Sequence, residues 1–564
     1  LRRQGFTHTV SAGVGPLCSY AWLDPSIFPA NSTASAWRQA GIADAHKSFD
    51  AVRVAGLSVV TSMDIFVVPE ALFTTFKANM TADGAARVAL NNFTLALAGA
   101  CLNELLAEFP EVDAIMVRVG ENYGGPSSAP FSWVGNGAVD FTLGFVDQQR
   151  QYVEFINRLR EVVCVQNGKH LIFRTWDTSG FSPRDPARFH PRKEYYLNVT
   201  NNVEPHPLLV FSVKHTSLDF WRFTYWNPAL NAGRHQQLLE VECAREYEGK
   251  GAYPNYIAGA VVGGFPEMGE AKVGLDAALQ APNSTIRHIW LWSSGGGWAG
   301  PVLGKNNTLW PLMNAGVLAR WFAASMNGSL HSELEAFLEY CEVELSGTSS
   351  FCDALHPLAT LSLDAVLYMR YVSPFDRAVS LKPRCGALGC MPSNNWQRDD
   401  RLCGLQCLGD GGGPEGNSGA IQVLAGTGLL HSAVAEKVNA TEVWTTMASL
   451  AAALPPGPPG VKAVVSDTTA YGLSLASVMA AGWQVMALGY VGKQTGAYNV
   501  SALTTAIAAY DGALLAFNQT VDLSKVATLT FPFYEGGHLE DKRAPGLNAT
   551  VDSFRGVVRV LSDV

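Results

Sequence analysis

The sequence predicts an α/β fold: a (β/α)8 TIM-type barrel followed by a mainly helical C-terminal domain with a disulfide-rich insertion. Three observations predict it. From about Ala34 to Trp292, helical periodicity alternates with short apolar runs. Those runs are apolar nearly throughout, as parallel strands covered on both faces require. Beyond Trp310 the strand signal fades and an Ala-rich helical pattern replaces it.

In chain order, a helical pattern covers Ala34 to Ala55 and leads into a strand beginning at Gly56-Leu-Ser-Val-Val. A second helix is expected over about Ala85 to Phe109, before the strand Asp113 to Val119. The segment Gln148 to Val165 is again helical and precedes His170-Leu-Ile-Phe-Arg. Further strands are expected at Leu208 to Lys214, Gln237 to Cys243 and Ile286 to Trp292. Six strands are thus clear. Two more would come from the short opening region, around Thr7–Val10 and Tyr20–Leu23.

The organisation this implies is a barrel over 1–308, irregular at its start, then a helical region over 309–371 packing on it. A Cys- and Gly-rich insertion would occupy 372–418, and a helical domain 419–564. The insertion contains Gly409-Asp-Gly-Gly-Gly-Pro-Glu-Gly, which no regular element accommodates. Tyr471 to Gly492 is the most apolar long stretch, and its Trp, Gln, Gly and Ser content reads as a buried helix rather than a membrane span.

The chain of 564 residues is 48% apolar and 16% charged, so it buries a large core. A net charge of −9 without a basic cluster argues against nucleic acid or an anionic membrane as partner. Asn-X-Ser/Thr sequons begin at Asn31, Asn79, Asn92, Asn198, Asn283, Asn306, Asn327, Asn439, Asn499, Asn518 and Asn548. Eleven of them predict N-linked glycans and passage through the secretory pathway, hence a secreted or cell-surface protein. Ten cysteines agree. Cys385, Cys390, Cys403 and Cys407 crowd into 23 residues, with spacings that suit disulfides better than a zinc knuckle. Leu1 in place of Met suggests a mature or truncated product. Extracellular assembly or a homodimer would be compatible with these features.

Three carboxylates stand at or just after strand-like runs: Glu121, Asp219 and Glu246. Strand ends are where a barrel presents its catalytic groups. Glycoside hydrolysis needs carboxylates on opposite sides of the scissile bond. Glu121 lies in Gly120-Glu-Asn-Tyr-Gly-Gly-Pro, where glycines permit a sharp turn and close substrate approach. Asp219 is bracketed by Trp221, Phe223, Tyr225 and Trp226, rings that suit either a core or a sugar-stacking wall. If the strand continued far enough, alternation would put Glu240, Glu242, Glu246 and Glu248 on one face, and spacing alone does not choose among them. Arg118, Arg174 and Lys214 are cationic groups at strand ends, either counter-ions or a fork for an anionic sugar. Trp298, in Ser293-Ser-Gly-Gly-Gly-Trp-Ala-Gly-Pro, is available for stacking on substrate. No Gly-X-Ser-X-Gly elbow and no His-Glu-X-X-His zinc motif is present. The reading calls for no metal and no organic cofactor.

These segments resemble the α-glucuronidases of glycoside hydrolase family 67. Met116-Val-Arg-Val-Gly-Glu-Asn-Tyr-Gly-Gly-Pro is similar to the family's general-acid motif and puts Glu121 at the acid position. Phe173-Arg-Thr-Trp resembles its Trp-Arg-Ala-Phe strand. Val213-Lys-His-Thr-Ser-Leu-Asp-Phe resembles the segment carrying a base-side Asp, here Asp219. Glu240-Val-Glu-Cys-Ala-Arg-Glu-Tyr-Glu-Gly resembles the last motif and singles out Glu246. The likeness covers about Gly56 to Phe337. It departs in the acid motif, where Ser-Glu-Gly-Gln of the family is Gly-Glu-Asn-Tyr, and in lacking the separate N-terminal α/β domain.

With the secretion that the sequons predict, the resemblance implies an inverting hydrolase acting outside the cell on a poly- or oligosaccharide that bears an α-glucuronosyl-type residue. Glu121 would be the acid, Asp219 and Glu246 the base side, and Arg174, Lys214 and Arg118 the binders of the sugar carboxylate. The alternative is a glycosylated cell-surface or extracellular-matrix protein that keeps the barrel as a non-catalytic scaffold or glycan binder.

Overall fold

Even-numbered residues line one face of every long strand, and that face organises the molecule. The computed structural model describes residues 2–81, 88–118, 128–134, 145–175, 193–216, 220, 222, 226–245, 248–267, 273–293, 308–329, 331–374, 424–520 and 547–563. The chain divides into two compact units. The first comprises Leu1–Asp219, Tyr225–Glu240 and Ala277–Trp290, and the second Phe220–Thr224, Val241–Asp276 and Leu291–Val564.

The strands are β1 (His8–Ser11), β2 (Ser58–Asp64), β3 (Val68–Pro69), β4 (Val112–Arg118), β5 (Trp133–Val134), β6 (His170–Arg174), β7 (Leu209–Lys214), β8 (Gln236–Glu242) and β9 (Ile286–Trp292). Seven form one sheet in the order β1-β2-β4-β6-β7-β8-β9, parallel from β1 through β8 and curled into a half-barrel. β3 and β5 make a separate two-residue antiparallel pair. Side chains alternate across a strand, so residues of one parity share a face. Val60, Ala114, Met116, Ile172, Val210 and Leu238 form a buried cluster, with Val10 and Trp290 packed against it. The opposite face is apolar as well: Val59, Ile115, Val117, Leu171, Phe173, Leu209, Phe211, Val213 and Leu239 are all buried. Burial of both faces is why these strands read as continuous apolar runs.

The helices α1 (Thr33–Val54), α2 (Glu70–Thr75), α3 (Lys77–Met80), α4 (Asn92–Glu108), α5 (Phe145–Arg160) and α6 (Lys193–Thr200) connect strands of the first unit. α4 begins at Asn92 rather than near Ala85. Asn91 and Thr94 close a reciprocal capping box there, and Thr81 and Val88 bridge before it. The helix expected to reach Val165 loosens its hydrogen bonding instead: α5 passes into a π-turn over Glu161–Gln166. The strand expected around Tyr20–Leu23 is a turn. Tyr20 has φ +56°, a left-handed value no strand accepts, and Leu23 N–H donates back to Tyr20 O at 2.9 Å.

At the N-terminal edge of the sheet the even face carries His8, His170 and His288. Burial, then His170, His8 and Arg287, pushes the His288 imidazole down to about 4. Burial likewise lowers His170, against an opposing pull from Asp113. His288 Nε2 lies 3.4 Å from Gln236 Oε1. The sign follows from linkage. The folded state holds these imidazoles neutral, whereas the unfolded chain takes up protons below pH 6.5. Stability is therefore complete above pH 6.5 and declines as pH falls towards 4, by about 2–3 kcal/mol for His288. Urea unfolding of wild type and His288→Gln from pH 7 to 4 checks this: the variant should show the shallower decline, and equal slopes would refute it.

The second unit contains α7 (Ala258–Gly263), α9 (Leu309–Met326), α10 (Glu333–Glu344), α11 (Ser349–Arg370), α12 (Leu430–Ala453), α13 (Pro459–Thr495), α14 (Val500–Thr520) and α15 (Leu547–Ser562); α8 (Leu275–Gln280) begins in it and ends in the first. The chain after Trp310 is helical, as its periodicity predicts. Pro455-Pro-Gly-Pro-Pro ends α12 and sets the start of α13. Trp444 of α12 is fully buried and donates Nε1–H to Ala365 O at 3.2 Å. Gly472 of α13 makes room for it, since a Cβ there would lie 2.2 Å from the indole. α13 and α14 are both long and apolar enough, by length and composition, to cross a membrane. Within the unit α13 packs against α12, α14 and α15, and its Trp483 is buried.

Among the described residues one disulfide joins Cys341 to Cys352, at the end of α10 and the start of α11. Cys18, Cys101, Cys164 and Cys243 are free and buried. Cys385, Cys390, Cys403 and Cys407 lie outside the described residues.

Candidate active site

Following the even face towards the C-terminal edge of the sheet, apolar residues give way to charged ones. β2 ends in Asp64, β4 in Arg118, β6 in Arg174, β7 in Lys214 and β8 in Glu240 and Glu242. This is the edge where parallel α/β sheets place their chemistry. Charges can stand here because the strands hold them at fixed spacing and each finds a partner within reach.

Two of the three expected cations sit in one cluster in the first unit. Arg174 donates Nε–H and Nη2–H to the two oxygens of Glu240 at 2.8 and 2.9 Å. Glu240 is fully buried and Arg174 6% exposed. Ser212 Oγ–H donates to Glu240 Oε1 at 2.7 Å, and Arg174 lies 5.1 Å over the Trp290 ring. Burial alone would raise the Glu240 carboxyl. Arg174, then Lys214 and Ser212, overcome that and hold it below the ordinary carboxylate value. Lys214 is itself 6% exposed.

Arg118 pairs with Asp64 across neighbouring strands, Nε to Oδ1 at 2.7 Å and Nη2 to Oδ2 at 2.6 Å. The two side chains are 24% and 27% exposed, so this pair meets solvent where the Arg174–Glu240 pair does not. Beside Lys214, His215 is fully buried. Its N–H donates to Glu240 O at 3.0 Å, which makes it a structural residue of the β7–β8 junction.

A second charged cluster lies in the second unit, just past the end of β8. The strand stops at Glu242, and Arg245 takes φ +55°. Strand alternation therefore does not extend to Glu248, which does not inherit the face of Glu240. Arg245 Nε–H donates to Glu248 Oε2 at 2.9 Å, and its Nη2–H donates to Oε1. Asn255 Nδ2–H donates to Glu248 Oε2 at 2.8 Å, and Tyr371 Oη–H to Oε1 at 2.6 Å. Burial would raise the Glu248 carboxyl, but Arg245, Arg222 and Tyr371 bring it down to about 2. Arg222 pairs with Glu267 through Nη2 and donates Nη1–H to Leu363 O at 3.1 Å.

Four glutamates of the segment were open to a catalytic role on spacing alone. Glu240 and Glu248 are each saturated by cations and hydroxyl donors, which suits structure and not proton transfer. Glu242 is buried. Glu246 lies outside the described residues, as do Glu121, Asp219 and Trp298. Asp64, Ser212 and Trp290 were not singled out from the sequence. Their parity was the available signal, since each sits an even number of residues from the core position on its own strand.

Among solved structures the chain is similar to a GH138 enzyme described as targeting pectin rhamnogalacturonan II. The TM-score is 0.51 at 8% identity, over 99% of this chain and 60% of that one. The likeness is one of fold, and the chain spans 60% of that protein's length. The half-barrel with its helical continuation is thus a fold shared with that glycoside hydrolase. CpGH84D matches at TM-score 0.32 and 9% identity, over 85% of this chain and 60% of that one. The O-GlcNAc hydrolase of Thermobaculum terrenum matches at 0.29 and 9%, over 90% and 81%. Both of these scores are too low to bear on the fold. No family model matches the sequence, and no curated protein does.

Proposed function

We propose that this chain is a glycoside hydrolase that cleaves a uronic-acid-bearing, α-glucuronosyl-type glycan with inversion, in a barrel closing to eight strands. The observation that carries the reading is the charged layer at the C-terminal edge of a glycosidase-type half-barrel, where Arg174 and Lys214 both stand beside Glu240. Glu121 protonates the departing glycosidic oxygen. Asp219 and Glu246 hold a water and take its proton as its oxygen bonds to the anomeric carbon from the opposite face. Inversion requires the acid and base carboxyls to stand about 6.5–9.5 Å apart. The sugar carboxylate meets the positive field of Arg118, Arg174 and Lys214, and Trp298 stacks on the ring.

The paired state of the cations favours a second reading. Glu240 already fills the Arg174 fork, so the barrel would also serve as a glycan-binding scaffold without turnover. Incubating the purified chain with glucuronic-acid-decorated xylan fragments, and separately with rhamnogalacturonan II, decides between them. Release of free uronic acid supports the hydrolase. Retention of either glycan on the immobilised chain without release supports the scaffold.

A further inference from the structure

We propose that the chain is N-glycosylated at Asn31, Asn79, Asn92, Asn198, Asn283, Asn327, Asn439, Asn499 and Asn518, with the glycans spread over both units. The inference does not depend on the glycosidase reading. Chance is the first alternative. A composition of 27 Asn and 69 Ser plus Thr in 564 residues yields about three sequons at random, against the eleven present.

The second argument is where the asparagines lie. All nine sequon asparagines with described side chains are exposed. Ten asparagines outside sequons have described side chains, and only Asn103, Asn201 and Asn202 of them are exposed; Asn227, Asn255 and Asn314 are buried. Surface preference of asparagine in general therefore does not account for the segregation.

The third argument is that the hydroxyl positions do not share it. Thr81, Thr94 and Thr200, each two residues after a sequon asparagine, are buried. Thr94 Oγ1–H donates to Ala89 O at 2.7 Å and Thr200 Oγ1–H to Tyr196 O at 2.8 Å. The hydroxyl is needed only while the sequon is read on the unfolded chain, whereas the modified amide must reach solvent permanently, because a glycan is bulky and polar. Exposure of every asparagine with free burial of its hydroxyl partner is the pattern that attachment before folding leaves. The Cys341–Cys352 disulfide points independently to an oxidising compartment.

Purification of the full chain from its own cells, followed by N-glycosidase F in ¹⁸O-water, tests this. The enzyme converts each glycosylated asparagine to ¹⁸O-labelled aspartate. The expected result is a drop in intact mass equal to several glycans and label at most of the nine positions, with Asn103, Asn201 and Asn202 unlabelled. An unchanged mass, or label at no more than two positions, would overturn the proposal.

Discussion

Replacing Glu121 by Gln is expected to lower turnover by about 10²–10⁴-fold while leaving the unfolding midpoint nearly unchanged. The amide is the size of the carboxyl but has no acidic proton, so the leaving oxygen must depart as an alkoxide. Substrate binding should survive, and the loss should fall on kcat rather than KM. A substrate with a strongly acidic phenol as leaving group separates this role from others. That group departs without protonation, so it should restore most of the rate to Glu121→Gln and little of it to Glu246→Gln. Full activity of Glu121→Gln on natural glycan would remove Glu121 from the mechanism. Loss in both variants with no rescue would place Glu121 on the water side of the sugar instead.

The second large effect is on stability. Glu248→Ala should cost about 3–5 kcal/mol, because it strands the fully buried Arg245 guanidinium and leaves Asn255 and Tyr371 without their acceptor. Replacing Arg245 by Met together with Glu248 by Leu should recover much of that loss, since the pair then vanishes as a unit. Guanidinium unfolding of the three proteins measures it, and a loss below about 1 kcal/mol for Glu248→Ala would refute the role. The acid behaviour has a definite sign. A carboxyl brought down to about 2 contributes stability that is present above 4.5 and lost as pH falls from 4.5 towards 2. That decline begins at the acid end of the window in which His288 acts and continues below it.

The strands were the most legible part of the sequence. Runs such as His170-Leu-Ile-Phe-Arg are apolar at both parities because both faces are covered, and the structure places β6 on those residues. The π-turn at Glu161–Gln166 was not legible, because helix and π-turn share one composition. Nor was the turn at Tyr20, whose backbone conformation is decided by its surroundings and not by its side chain. Cys341 and Cys352 drew no attention beside the denser insertion cysteines, although they form the disulfide seen. At the site, sequence could place cations at strand ends but could not say that Glu240 takes the Arg174 fork. That pairing depends on β7 lying between their strands, a fact of topology.

The single-parity interior also limits how this gene can change. β6 stacks histidine, apolar residue and charge two residues apart, and the other strands of the sheet keep the same parity, so strand length is fixed modulo two. Deleting one codon within β7 would turn Phe211 and Val213 inward and aim Lys214 at the covering helices. Removing two would keep every side chain on its face and shorten only one layer. Sequence drift in this chain should therefore show single-residue gaps confined to loops, with changes inside the strands limited to substitutions or paired losses.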